Sequence, residues 1–486
     1  MFTLLHISDL HRSPEEPVDN DSLISALLAD CDRYIGETPA IPLPSAIIVS
    51  GDIIHGARIG QENWRQEMSD QYKVAEEFLD QLTNRFLNGD RSKIVIIPGN
   101  HDVCWNTSLA SMEKLEESQY PKDIRWELIK PDSTHRWSWK DRSLYKVIDQ
   151  NIYQQRMDAY WEFVENFYSG SALLTPIDRK RGYQLFELFD RQVIVGAFDS
   201  IHNNDCFSYS GAIQRGVIGR CDLAIRDIPN TYSLRIAVWH HSFNGPPLRE
   251  DYMDIGQINE MIGLRFQIGL HGHQHLSTTA TQYVNLNESQ SMAVVSAGSL
   301  CAGSKELPRG VNRQYNLIVI EDDLRHARVH VRELGEGGQF ARKINSAFPS
   351  SYVELGWQAA LDKMGREIDA KAENIKRATL KAEEALNRRE YRDVLEILRD
   401  FELEPDSFAR KIVADALVAL KDWNIVATYI QEAHGITEEI LVVTSLINRG
   451  LIEQAKKALS ECKSIDAVTA QGLKESIDLR QIIKSI

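Results

Sequence analysis

The sequence predicts an α/β fold followed by an all-α domain, and three observations carry that reading. Between Met1 and Leu334, short runs of aliphatic and β-branched residues alternate with helical stretches, and several of the runs end in His, Asp, Asn or Gly. Gly335 to Gly338 (GEGG) breaks the pattern, and from about Tyr352 the chain reads as helical to Ile486. At 486 residues the chain is too long for one ordinary core. The expected division is an α/β domain over residues 1–334, a linker over 335–351 and a helical domain over 352–486.

The runs of the first domain follow in order. FTLLHISDLH starts at Phe2, SAIIVSGDIIH at Ser45 and KIVIIPGNHD at Lys93, with the amphipathic stretch QYKVAEEFLDQL between the last two. QVIVGAFDS, LRIAVWHHS, FQIGLHGHQH and MAVVSAGS follow from Gln192, Leu234, Phe266 and Met292. Continuous apolar runs of this kind suit strands covered on both faces. YNLIVIEDDLRHARVHVREL, from Tyr315, alternates around an Asp-Asp turn and reads as a closing hairpin. Residues 105–182 interrupt the series and read as an inserted helical cap. That segment is aromatic and partly basic, with Trp126, Trp137, Trp139, Tyr153, Tyr160 and Trp161 among Arg125, Lys130, Arg136, Lys140 and Arg142.

In the helical domain, REYRDVLEILRD, KDWNIVATYI and RGLIEQAKKAL each read as the start of a second helix in a hairpin. If Tyr391, Trp423 and Leu451 are equivalent, the offsets are 32 and 28 residues. A tetratricopeptide-like array and a plain helical bundle both fit these spacings.

Composition excludes several classes. A 43% hydrophobic and 26% charged chain is globular, and no apolar run approaches the roughly 20 residues that span a bilayer. No membrane partner is expected. MFTLLHISDLH lacks the basic start and long apolar core of a secretion signal and reads as a first strand. Six cysteines without CxxC spacing suit buried thiols in a reducing compartment, so the cytoplasm is expected. A net charge of −15 argues against a protein coated in basic surface, though not against a local basic groove.

The chemistry lies at the strand tips: Asp9 and His11, Asp52, Asn100 and His101, His240, and His273 with His275. A single polar residue at a strand end is usually a cap. Five blocks in order, each with Gly or Ser allowing close backbone approach, are another matter. Carboxylates, an amide oxygen and imidazoles without thiolates favour Mn, Fe, Ni or Zn over a structural zinc. Two such ions held about 3.5 to 4 Å apart lower the pKa of a bridging water, which attacks phosphorus as hydroxide. His101 beside Asn100 is placed to protonate the leaving oxygen, with Asp102 expected to fix its tautomer.

SDLH, GDIIH, GNHD, WHHS and GHQH together resemble the calcineurin-like metallophosphoesterases over about Met1 to Leu334. The resemblance implies a four-layer αββα metallophosphoesterase sandwich and two divalent metal ions, manganese first. It further implies that Asp9, His11 and His275 hold one ion, that Asn100, His240 and His273 hold the other, and that Asp52 bridges. His240 is preferred to its neighbour His241 from the family pattern. His6 and His55 stay outside the set, and family members commonly carry a short side chain where this chain has His55.

The motifs specify a reaction class, not a substrate. A phosphodiesterase or nuclease acting on DNA, RNA or a cyclic nucleotide is the leading reading. Its rivals are a phosphomonoesterase or protein phosphatase, and a partner-binding scaffold with a regulatory metal site. Tryptophan and tyrosine among Arg and Lys in the insertion could stack bases, or could form a cap core with a solvated face. Helix-pair arrays commonly present protein-binding surfaces, so a protein partner is expected on the C-terminal domain. Bacterial phosphoesterases fused to such arrays suggest roles such as foreign-DNA defence. Gly298 to Lys305 (GSLCAGSK) misses the phosphate-loop spacing by one residue and is expected to close the active-site rim.

Overall fold

The computed structural model describes residues 1–14, 18–130, 132–244, 251–284, 287–303, 306–357, 363–405 and 407–485. The chain forms two compact units, Met1–Ala360 and Leu361–Ile486.

The strands of the first unit are β1 (Phe2–Ile7), β2 (Ala46–Ser50), β3 (Ile94–Ile97), β4 (Met112–Lys114), β5 (His135–Ser138), β6 (Ser143–Val147), β7 (Tyr183–Leu188) and β8 (Val193–Phe198). They continue as β9 (Leu234–Val238), β10 (Ile268–His271), β11 (Thr278–Val284), β12 (Asn287–Ser296), β13 (Gln314–Ile320), β14 (His326–Leu334), β15 (Phe340–Arg342) and β16 (Tyr352–Gly356). One large sheet runs β15-β14-β13-β1-β2-β3, with β16 also paired to β14. The second runs β11-β12-β10-β9-β8-β7. In the first sheet β1, β2 and β3 are parallel, and in the second β8, β9, β10 and β12 are.

The two sheets share one apolar core, and period-two alternation builds the layers. On β8, Val193, Val195 and Ala197 enter the core between the sheets, while Ile194 and Phe198 face the outer cluster with helices Val217–Asp227 and Ile255–Gly263. Helix Trp64–Phe86 covers the first sheet through Met68, Tyr72, Ala75, Phe78, Leu79 and Leu82, a three-and-four spacing that makes one apolar stripe. The result is the four-layer α/β sandwich, with a helical unit after it.

Two expectations about boundaries are corrected. The α/β domain does not end at Leu334, because β15 and β16 lie within the segment expected as linker and helical domain and extend the first sheet along β14. Short edge strands half exposed to solvent carry too little alternation to be read from sequence. The insertion is also not purely helical. It holds a three-stranded antiparallel sheet, β4-β6-β5, and its amphipathic helix Asp158–Phe167 belongs to the main core. Tyr160 of that helix and Tyr168 just after it donate to the carbonyls of Ile96 and Ile94. They thus occupy acceptors along β3, the last strand of its sheet.

The closing hairpin is locked by a buried ion pair. Arg332 Nε donates to Asp30 Oδ2 at 2.7 Å and its Nη1 to Glu37 at 2.9 Å, while Tyr315 also donates to Asp30. Both Asp30 and Arg332 are buried. Arg332→Ala leaves the buried Asp30 carboxylate with only the partly exposed Arg33 as cation, and a loss of about 1.5–3 kcal/mol in urea unfolding is expected. Replacing both partners with apolar residues should cost far less.

In the second unit, helices Tyr391–Leu398 and Ile452–Glu461 begin where the sequence places them, whereas KDWNIVATYI yields only the single turn Val426–Tyr429. Among the described residues, no helix of the chain is long and apolar enough to cross a membrane.

Candidate metal centre and active site

The site forms where five parallel strands end. β1 delivers Asp9 and His11, β2 Asp52, β3 Asn100 and His101, β9 His240 and His241, and β10 His273 and His275. Beyond these ends the backbone bends sharply: Asp9, His11, Asp52, His273 and His275 all have positive φ, between 43° and 75°. Left-handed backbone at five non-glycine residues is uncommon, and strain of this kind concentrates at functional sites. Glycines allow the loops to close. A Cβ on Gly99 would lie 2.2 Å from Asp52 Oδ1, and one on Gly272 would lie 1.8 Å from Ser8 Oγ.

Seven side chains converge. On one side, His275 Nε2 is 3.2 Å from Asp9 Oδ1 and 3.2 Å from His11 Nε2. On the other, Asn100 Oδ1 lies 3.1 Å from both His240 Nε2 and His273 Nδ1. Asp52 Oδ2 stands between them, 3.2 Å from His240 Nε2 and 3.9 Å from His11 Nε2. Metal–nitrogen bonds of about 2.1 Å place adjacent ligand atoms about 3.0–3.4 Å apart, so this spacing and donor set fit divalent cations. Asp9, His11, Asp52 and His275 form one cation-sized group.

Main-chain carbonyls fix which ring nitrogen is available. Nδ1 of His240 meets Ser50 O at 2.8 Å and Nδ1 of His275 meets Glu306 O at 3.0 Å, directing Nε2 of each toward the cluster. Ser200 Oγ accepts from the main-chain N–H groups of His240 and His241. The His241 ring turns elsewhere, to Ser200 Oγ at 3.0 Å and Asn204 Nδ2 at 3.4 Å. Ser200 ends the run QVIVGAFDS and could have been suspected from its polar tip. Ser299 Oγ donates to Asp9 O, so the GSLCAGSK segment does border the site; Ser304 and Lys305 lie outside the described residues.

His101 sits beside the cluster, its ring 4.5 Å from that of His11. Its N–H donates to Asp52 Oδ1 at 2.8 Å. Asp102 does not orient it, contrary to expectation. His101 Nδ1 instead meets His55 O at 2.8 Å, while Asp102 accepts from Gly99 N–H, Ile53 N–H and the Tyr72 hydroxyl. Closing its own tight loop gives the Asp102 carboxylate nearer donors than the neighbouring ring. Asp102 is thus a buried tie between the loops that carry Asp52 and Asn100.

Electrostatics follow from crowding. Burial works against charge on His240 and His275, but Asp52 and Asp9 outweigh it and raise each to about 9. Burial also opposes ionisation of Asp9, yet His275 holds it well below the usual carboxylate range. Burial lowers His11 to about 3 and keeps that imidazole neutral. Both raised imidazoles are therefore protonated at pH 7 and must lose a proton to ligate. Metal binding is expected to release about two protons at pH 7 and to strengthen as pH rises toward 9. Calorimetric titration in buffers of different ionisation enthalpy reads that number.

Several basic residues of the insertion are bonded within the protein. Arg136 pairs with Asp205 at 2.5 Å, and Arg156 donates to the carbonyls of Tyr153, His202 and Asn204. Arg179 pairs with Glu165, and Arg181 bonds Thr175. Trp126 and Trp139, by contrast, are 60% and 75% exposed.

A calcineurin-like phosphoesterase family model matches residues 2–277. Among solved structures, the chain is similar to a dimetal phosphatase from Danio rerio, with 10% identity, 74% of this chain and 99% of that one covered, and a TM-score of 0.38. It is also similar to a 5′-nucleotidase from Candida albicans, at 12% identity, 69% and 52% coverage and a TM-score of 0.34. For the calcineurin-like phosphoesterase YfkN from Bacillus subtilis the values are 11%, 70% and 87%, and 0.29. No curated protein matches the chain.

Proposed function

Since the chain belongs to the calcineurin-like phosphoesterase family, whose members hydrolyse phosphoester bonds, we propose that it cleaves phosphodiesters in nucleotides or nucleic acid. The observation that supports hydrolysis most strongly is the cluster of seven nitrogen and oxygen donors with His101 at its border. Asp9, His11, His275 and Asp52 would hold one divalent ion, and Asn100, His240, His273 and Asp52 the other, with Mn²⁺ the first candidate for a thiolate-free set. When bound, such ions offset phosphoryl charge and lower the pKa of water.

The remaining steps belong to the protein. His101, with Nδ1 committed to His55 O, has Nε2 left to protonate the leaving oxygen. The main-chain bond from His101 N–H to Asp52 keeps that ring in register with the ligand loop. The preference for diesters is supported by exposed Trp126 and Trp139, with exposed Arg125, Lys140 and Arg142 near them in sequence. The helical unit is assigned partner binding, since its antiparallel helix pairs, such as Lys363–Asn387 with Tyr391–Leu398, are of the kind that present protein-binding surfaces.

The decisive measurement is turnover with Mn²⁺ of an aryl phosphodiester against the corresponding monoester, followed by cyclic nucleotides, RNA, and single-stranded and duplex DNA. Faster cleavage of the monoester would overturn the diester assignment. For a nucleic-acid substrate, binding should weaken steeply with salt, and Trp139→Ala should weaken it.

A further inference from the structure

Two residues outside the donor cluster meet at its rim. His55 Nδ1 lies 3.2 Å from Glu306 Oε1, although the residues are far apart in sequence and come from the loops after β2 and β12. The same two residues supply main-chain acceptors to the site: His55 O to His101 Nδ1 at 2.8 Å, and Glu306 O to His275 Nδ1 at 3.0 Å. Glu306 further accepts from Gly303 N–H through Oε2 at 3.1 Å, which closes the turn that presents its own carbonyl.

We propose that the His55–Glu306 side-chain pair is a clasp that positions His101 and His275 through these two carbonyls. Each loop is anchored only to its own surroundings by these bonds: Ile54 bridges Arg12 and Gly56 is bonded both ways by the Gln71 side chain, while Glu306 N–H donates to Gly303 O. A side-chain bridge between the loops fixes both acceptors at once, and with them the tautomers of a ligand and of the neighbouring imidazole. Both are positioning residues. The part concerning His101 rests on its proposed role as proton donor, and the part concerning His275 on its proposed role as metal ligand.

The test uses the whole protein, with His55→Ala, Glu306→Ala, Glu306→Gln and the double alanine variant, each titrated with Mn²⁺ by calorimetry and assayed for kcat and KM. Outer partners of metal-bound imidazoles change affinity or activity by about 10- to 100-fold. Each alanine variant is expected to weaken one Mn²⁺ equivalent about tenfold, with no further loss in the double variant. Glu306→Gln, which keeps an acceptor oxygen, should recover most of that loss. A fall in kcat at unchanged KM should accompany the weaker binding.

Additive losses in the double variant, or unchanged Mn²⁺ binding in the single variants, would overturn the clasp. So would a third Mn²⁺ equivalent that disappears in Glu306→Gln, because His11, His55 and Glu306 would then be holding an ion. The Mn²⁺ titration decides the matter even if no phosphoester is turned over.

Discussion

Asp52→Ala is expected to lower kcat/KM for an aryl phosphodiester by about a thousandfold or more, given the several kcal/mol that metal ions contribute to transition-state charge. Asp52 is buried, and its carboxylate reaches both halves of the site, His240 on one side and His11 on the other. One oxygen faces His240 and His11, and the other accepts the main-chain N–H of His101. Its loss removes the proposed joint ligand and the tether of the proposed acid together. Asp52→Asn should fail almost as badly, since it keeps the shape but not the charge. Elemental analysis should find less metal bound in both variants. A variant retaining a tenth of the rate would remove Asp52 from the centre of the mechanism.

His101→Ala is expected to act differently. Metal content should be preserved, while kcat falls by about a hundredfold to ten-thousandfold, the range associated with a positioned acid or base. The loss should shrink as the leaving group improves, because a nitrophenolate needs less help from a proton than a ribose oxygen does. An empty metal site in this variant, or an equal loss for good and poor leaving groups, would assign His101 to ligation or structure instead.

Much of the site could be read in advance because burial on both faces leaves a simple trace. Ile94 to Ile97 form an uninterrupted apolar run, so the polar residues just past Pro98 stand out, and the same holds for Ala46 to Val49 before Asp52. The geometry beyond those tips could not be read. Asp102 and His101 are adjacent in sequence, yet Asp102 closes a loop of its own and takes the Tyr72 hydroxyl, while a carbonyl 46 residues away holds the His101 ring. Such choices depend on which donor folding brings nearer. The aromatic insertion misled for a related reason. Tyr160, Trp161, Phe163 and Phe167 have the spacing of a cap, but they pack into the main core, where Tyr160 bonds the edge of β3 and Phe163 stacks on Tyr72. Periodicity reports that a face will be covered and does not name what covers it.

The strands past Leu334 decide how the catalytic unit can be isolated. A chain stopped at Leu334 would retain every residue of the metal cluster and lose β15 and β16, together with Trp357, whose indole bonds Leu324 O. The outer side of β14 would then present bare amides and carbonyls from His326 to Leu334, a template for strand addition. Such a fragment should self-associate into mixed oligomers while its chemistry remains intact, whereas one carried through Trp357 should stay monodisperse.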